Sequence, residues 1–202
     1  FYFAETEDYP KIFPKLEDKQ KVCALKVAKE RLEQRFMGSS EDIPYVTRSA
    51  FANISTKTNQ IEQNEKIKVL ILPHDFIDAP HCGGLFPFPD MYDWIKFLAD
   101  MSNKKTEYDW YLKTHPIMGD KWEWYQKFTR DVAKKLITNS RIKTLHPNTT
   151  HNEIISANID YVLTIFGTAA HEYAFKNVKV INGGEMNPHF SYKFNLNVSN
   201  YS

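Results

Sequence analysis

The sequence predicts an α/β fold, a parallel sheet with crossover helices on both faces, and three observations carry that prediction. Short strand-like runs rich in β-branched and apolar residues alternate with amphipathic helical stretches about four times between Ile67 and Asn182. Parallel strands require crossover connections of helical length, and this alternation supplies them. The first run, "IKVLILP" (67–73), is a short, mostly apolar run, the pattern of a strand covered on both faces.

The elements follow in order. Before the alternation, "DKQKVCALKVAKERLEQRFMG" (18–38) sets Val22, Leu25, Ala28 or Lys29, Leu32 and Phe36 at helical spacing and ends at Gly38, a C′ glycine. The polar, weakly periodic stretch 39–66 reads as a loop or helical connector. Residues 1–66 are therefore taken as a helical segment and connector, possible remnant of a preceding lobe, and 67–202 as the main domain. After the first strand, "DMYDWIKFLAD" (90–100) carries Met91, Trp94, Ile95 and Leu98 on one helical face behind an Asp90 cap. "YDWYLKT" (108–114) is a strand and "DKWEWYQKFTRDVAKKLI" (120–137) an amphipathic helix. "RIKTL" (141–145) is a strand, and Thr150 with Glu153 forms a capping box for a short helix. "IDYVLTIF" (159–166) is a strand, "TAAHEYAFK" (168–176) a helix and "VKVIN" (178–182) the last strand.

Composition excludes several function classes. Twenty-six basic against 25 acidic residues leave a formal charge of +1, so nothing favours nucleic acid or an anionic membrane as partner. No apolar run approaches the roughly 18 residues of a membrane span, and no signal-peptide pattern is present. Cys23 and Cys82 stand far apart, which fits a reduced, cytoplasmic chain. The Asn-x-Ser/Thr triplets at Asn53, Asn148, Asn197 and Asn200 read as chance matches. The chain opens "FYFAETEDYP" without Met, which raises the expectation of a piece of a longer protein.

Ligands of parallel sheets bind at the carboxyl ends of the strands, and polar residues gather at those ends here. The first strand runs into "PHDFIDAPHCGG", which brings His74, Asp75, Asp78 and His81 close together. A carboxylate beside an imidazole suits a general base, and the same residues suit a polar turn. A metal site is disfavoured because the order matches no closed zinc spacing. The second strand ends "YLKTHPIMGD", where Lys113 and His115 precede a strand-stopping proline. The third ends "TLHPNTTHNE", which its helix cap largely explains. The fourth ends "FGTAAHEYA": Gly167, Thr168 and Ala169 leave room for a ligand at a turn, and Glu172 is a hydrogen-bond acceptor for vicinal hydroxyls. His171 points about 100° away from it around the helix.

"KTHP" (113–116) with "GTAAHEYA" (167–174) resembles the carboxyl-terminal, donor-binding lobe of GT-B glycosyltransferases, a Rossmann-like domain. The likeness is to bacterial capsular-polysaccharide sugar transferases, including the capsule Kdo transferases and the His-Pro motif group, and covers about residues 67–190. The resemblance implies a metal-independent transferase with no cofactor, in which a nucleotide sugar is the substrate; UDP is the default carrier as the commonest one, and CMP or CDP would fit the His-Pro motif. By similarity, Lys113 and His115 would lie at the donor phosphates, and Gly167, Thr168 and Ala169 would hold phosphate through backbone amides. Glu172 would take the ribose, and Leu145 and His146 would lie against the base. The capsule Kdo transferases carry Gln, and Asp four residues later, after the first strand. His74 and Asp78 occupy that place, so Asp78, with His74 or His81, is the implied base. GT-B enzymes have two lobes of similar size, and residues 1–66 are too few for the acceptor lobe. The expected acceptor is a capsular or surface polysaccharide or a glycolipid, with other domains of the same longer chain and attachment to the inner membrane through these or partners. Two alternatives stand beside this expectation: a nucleotide-sugar 2-epimerase of the same architecture, and a non-catalytic sugar- or partner-binding domain.

Overall fold

A computed structural model of the chain describes residues 9–39, 49–52, 60–74, 76, 87–116, 123–184 and 190–198. The fold is α/β and Rossmann-like. Six parallel strands form one sheet: β1 (Ile67–Leu72), β2 (Tyr108–Leu112), β3 (Ile142–Thr144), β4 (Tyr161–Ile165), β5 (Lys179–Gly183) and β6 (Asn195–Val198), in the order β3-β2-β1-β4-β5-β6. Helices α3 (Met91–Lys104), α4 (Glu123–Ile137), α5 (His151–Ser156) and α6 (Ala169–Phe175) connect them. Ahead of the sheet lie α1 (Tyr9–Ile12), a 3₁₀ turn over Phe13–Lys15 and α2 (Asp18–Phe36).

β1 is central, hydrogen-bonded to β2 on one side and β4 on the other, and its alternation sorts the core into two layers. Val69 and Ile71 face Trp94, Ile95 and Leu98 of α3 and Ala133 and Ile137 of α4. Leu70 and Leu72 face Ile154 of α5 and Ala170 and Tyr173 of α6. A strand buried on both faces has no polar side, which is why this run is apolar from Val69 to Leu72, while Lys68 near its start is buried with its ammonium donating to Asn64 O at 2.8 Å. Each fully buried Leu or Ile here contributes roughly 1.5–3 kcal/mol of transfer free energy.

Capping follows the sequence closely. Asp90 accepts a hydrogen bond from Asp93 N at the start of α3. Thr150 and Glu153 form the reciprocal capping box of α5. Gly38 ends α2 with φ of +86°, and a Cβ there would lie 2.8 Å from Ala52 Cα, so both conformation and close approach demand glycine.

Two expectations need correction. The stripe on α2 is not a buried seam: Val22 and Leu25 are 68% and 59% exposed, and Phe36 is the one buried residue of the helix. β5 is also not the last strand. β6 pairs with it in parallel, and its "NLNV" is too short and polar to announce a strand by periodicity.

Candidate functional site

The strand order reverses direction at β1. From β1 the chain moves outward to β2 and β3, then returns to place β4 on the other side. The connections after β1 and β4 diverge to opposite faces, with α3 on one and α6 on the other, the place where open α/β sheets bind ligands. His74 follows β1 at this rim, and the segment after β2 ends in Lys113, Thr114 and His115. The imidazoles of His74 and His115 approach to 6.2 Å between centroids, nearly perpendicular at 84°. The His-Pro pair is thus brought beside the tip of β1, with His115 exposed and His74 half-buried.

The turn after β4 has a packing reason for its glycine. A Cβ on Gly167 would lie 2.5 Å from Thr164 Oγ1, whose hydroxyl is buried and donates to Leu72 O at 3.1 Å. That bond ties β4 to β1 and holds the hydroxyl against the turn. Phe166, just before it, has φ of +57°, a left-handed conformation that is strained for a bulky residue. Thr168 is exposed and caps α6 without a side-chain hydrogen bond. Ala169 is half-buried against the α5/α6 core.

Two residues assigned by resemblance are in the wrong place for those roles. Glu172 is 1% exposed, and its carboxylate is engaged by the Arg35 guanidinium from the end of α2. A ribose at the surface would not reach it. Leu145 is also 1% exposed and packs in the core with Leu70, Tyr111 and Ile154, so its side chain does not face a base. His146 is exposed, with Nδ1 accepting from Asn148 N at 3.2 Å. Lys113 lies below the surface at 2% exposure. Asp75, Asp78 and His81 lie outside the described residues, so of the proposed base group the structure locates His74. Among the described residues no group of three or more His, Cys, Asp or Glu side chains is arranged to hold a metal ion.

Beneath the rim is a polar cluster of which sequence reasoning named Lys113 and Glu172 but missed Arg35, His151 and Tyr173. Arg35, Lys113, His151, Glu172 and Tyr173 come from α2, the end of β2, α5 and α6. Burial pushes the Lys113 ammonium down to about 8, with the Glu172 charge pulling the other way. Burial also holds His151 well below its ordinary value, aided by the positive charges of Lys113, Arg35 and His115. The His151 ring stands 5.1 Å from Phe51 and 5.3 Å from Tyr173. Burial and the neighbouring Glu172 charge push the Tyr173 phenol well above its usual range. The end of α2 is clamped onto this cluster by more than the ion pair. Phe36 stacks on Phe175 at 5.6 Å, and its carbonyl accepts from Asn152 Nδ2 at 2.9 Å. The sequence signal for His151 was present, because it directly follows the cap Thr150, but the cap alone accounted for that stretch.

A scan against protein-family models, a search of curated proteins and a search of solved structures each found no match. Fold and site chemistry are therefore what bear on function. No helix among the described residues is long and apolar enough to cross a membrane.

Proposed function

We propose that the chain binds a nucleotide-linked small molecule between the tips of β1 and β4, and that this ligand is a nucleotide sugar serving as glycosyl donor. The observation that carries the reading is the reversal of strand order at β1, because parallel α/β sheets bind ligands at the carboxyl edge where the order reverses. His74 and His115 at 6.2 Å on that edge and the strained Phe166 beside it lend support, since backbone strain concentrates at ligand sites. The glycosyl-transfer part rests on the resemblance of "KTHP" and "GTAAHEYA" to donor-binding lobes. With Glu172 and Leu145 withdrawn into the core, the donor would be held by the His115 imidazole and the open Thr168 turn. In transfer, negative charge develops on the departing diphosphate, and a protonated His115 would stabilise it. His74 would take the acceptor proton, or pass that task to Asp78 or His81.

A thermal-shift panel of UDP, GDP, CMP and CDP tests the reading, repeated with His115→Ala. A ligand at about 100 times its Kd stabilises by about 2.7 kcal/mol, a shift of several degrees for a chain of this size. His115→Ala should remove most of that shift. If no nucleotide moves the wild-type transition, the donor-site reading fails. A UDP-sugar converted without acceptor would point instead to the epimerase.

A further inference from the structure

The two edges of the sheet differ in how they are guarded. β3 is three residues long, and its exposed Lys143 pairs with Glu62, with Arg141 just ahead of the strand. Short edge strands that carry charge resist pairing with other chains. β6 lies at the opposite edge, and from 194 to 202 the sequence has neither a charged residue nor a proline. Val198 O accepts from Gly184 N at 3.1 Å, so Val198 and, by alternation, Leu196 turn their peptide groups towards β5. Asn195 and Asn197 therefore turn their N–H and C=O groups outward, where no strand pairs with them among the described residues. Their side chains are engaged elsewhere: Asn195 Nδ2 donates to Asn197 Oδ1 and Asn197 Nδ2 to Phe190 O. An apolar row ends at the same edge. Ile71, Leu163, Ile181 and Leu196 stand in register across β1, β4, β5 and β6. Ile71 is fully buried, Leu163 and Ile181 are partly buried, and Leu196 is 62% exposed.

We propose that β6 is a dimerisation edge whose partner is β6 of a second copy of the chain, antiparallel about a two-fold axis through Leu196. Outward backbone donors and acceptors in a row call for an extended strand. Pairing of identical strands brings each residue near its own copy around the axis, where charge would repel, and β6 carries none. The direction of the peptide groups fixes the centre. With the axis at Leu196, Asn195 and Asn197 of one copy face Asn197 and Asn195 of the other, all with outward peptide groups, and both pairs are hydrogen-bonded. Leu196 then meets its own copy in the non-hydrogen-bonded position, where side chains lie closest. Phe194, one residue before the strand and 39% exposed, comes opposite Val198 of the second copy. The apolar row thus runs on through the axis, and the two six-stranded sheets become one. This dimer does not depend on the nucleotide reading.

The test is sedimentation equilibrium of the full chain over a range of protein concentrations. Wild type should sediment with the mass of two chains. Leu196→Lys sets two ammonium groups against each other at the axis and should raise the dimer dissociation constant about tenfold or more. Thr144→Lys makes the same kind of change at an exposed position of β3 and should leave that constant unaltered. A second measurement reads the register. In a Cys23→Ser, Cys82→Ser background, Leu196→Cys should form an intermolecular disulfide on air oxidation, since a non-hydrogen-bonded pair sets its Cα atoms about 4.5 Å apart. Val198→Cys should not, because its two copies would lie roughly 14 Å apart. A wild type that sediments as one chain overturns the inference and leaves the edge to some other extended segment. A dimer that Leu196→Lys leaves within twofold of wild type, one lost in Thr144→Lys, or equal cross-linking at positions 196 and 198 overturns it as well.

Discussion

Replacing Arg35 by Met probes how the end of α2 is fastened to the α/β unit. The Glu172 side chain is 2% exposed and that of Arg35 19%, so the pair is buried at the acidic end and partly wet at the basic end. Removing one partner of a buried ion pair costs about 3–5 kcal/mol, because the remaining charge is left desolvated. Lys113 supplies Glu172 with a second positive charge, and the Arg35 stem loses little packing on change to Met. Both facts move the expectation to or just below the lower end of that range, about 2–3 kcal/mol. At about 2–4 °C per kcal/mol for a chain of this length, the transition should fall by roughly 4–12 °C. Urea unfolding of wild type, Arg35→Met, Glu172→Gln and the double variant closes a double-mutant cycle. The double variant should lose less than the sum of the two singles by about 1 kcal/mol or more. A drop below about 1 °C in Arg35→Met, or strict additivity in the cycle, would show that the pair does not hold α2 in place.

Further expectations concern the same region. In Gly167→Ala the new Cβ meets Thr164 Oγ1 at 2.5 Å, which should cost about 1–3 kcal/mol, and Gly167→Ala with Thr164→Ala should recover part of it in chemical denaturation. A Gly167→Ala protein as stable as wild type would refute the packing reason for this glycine. Lys113 titrates near 8 when folded against 10.5 when unfolded. Between those values the unfolded chain holds a proton that the folded chain has released, so stability rises with pH across that window, by about 3 kcal/mol from this group. Unfolding free energies at pH 7.5 and 10 should differ between wild type and Lys113→Met in that sense, and parallel profiles would refute the burial of a charged amine. His151 works at the acid end: the unfolded chain takes up a proton near 6.5 that the folded chain refuses, so stability falls as pH drops below that value. His151→Phe should flatten this limb of the profile, and an unchanged acid limb would refute it.

The strand–helix rhythm was legible because it is local. A strand buried on both faces is apolar where it crosses the core, as at 69–72, and a helix lying on a sheet must repeat its apolar residues near 3.6, as Trp94, Ile95 and Leu98 do. Caps were legible for the same reason, since Asp90, Thr150 and Gly38 act within a few residues of themselves. β6 was not, because four residues with two asparagines carry no periodic signal and owe their pairing to the edge that β5 offers.

The site divides along the same line. From sequence it could be read that His74, Lys113, His115 and Gly167 fall at carboxyl ends of strands, since that follows from chain order in a parallel sheet. Whether a side chain there faces water or core depends on what packs over it, and that is a property of residues distant in sequence. Glu172 looked available because nothing near it in the chain would cover it. Arg35, 137 residues earlier, engages it, and the docking of α2 withdraws it from solvent. The sequence by itself determined five of the six strands, the helices between them and the line of polar residues at the sheet's edge. The tertiary structure alone decided which of them are buried and with what charges, because desolvation and pairing are set by neighbours in space.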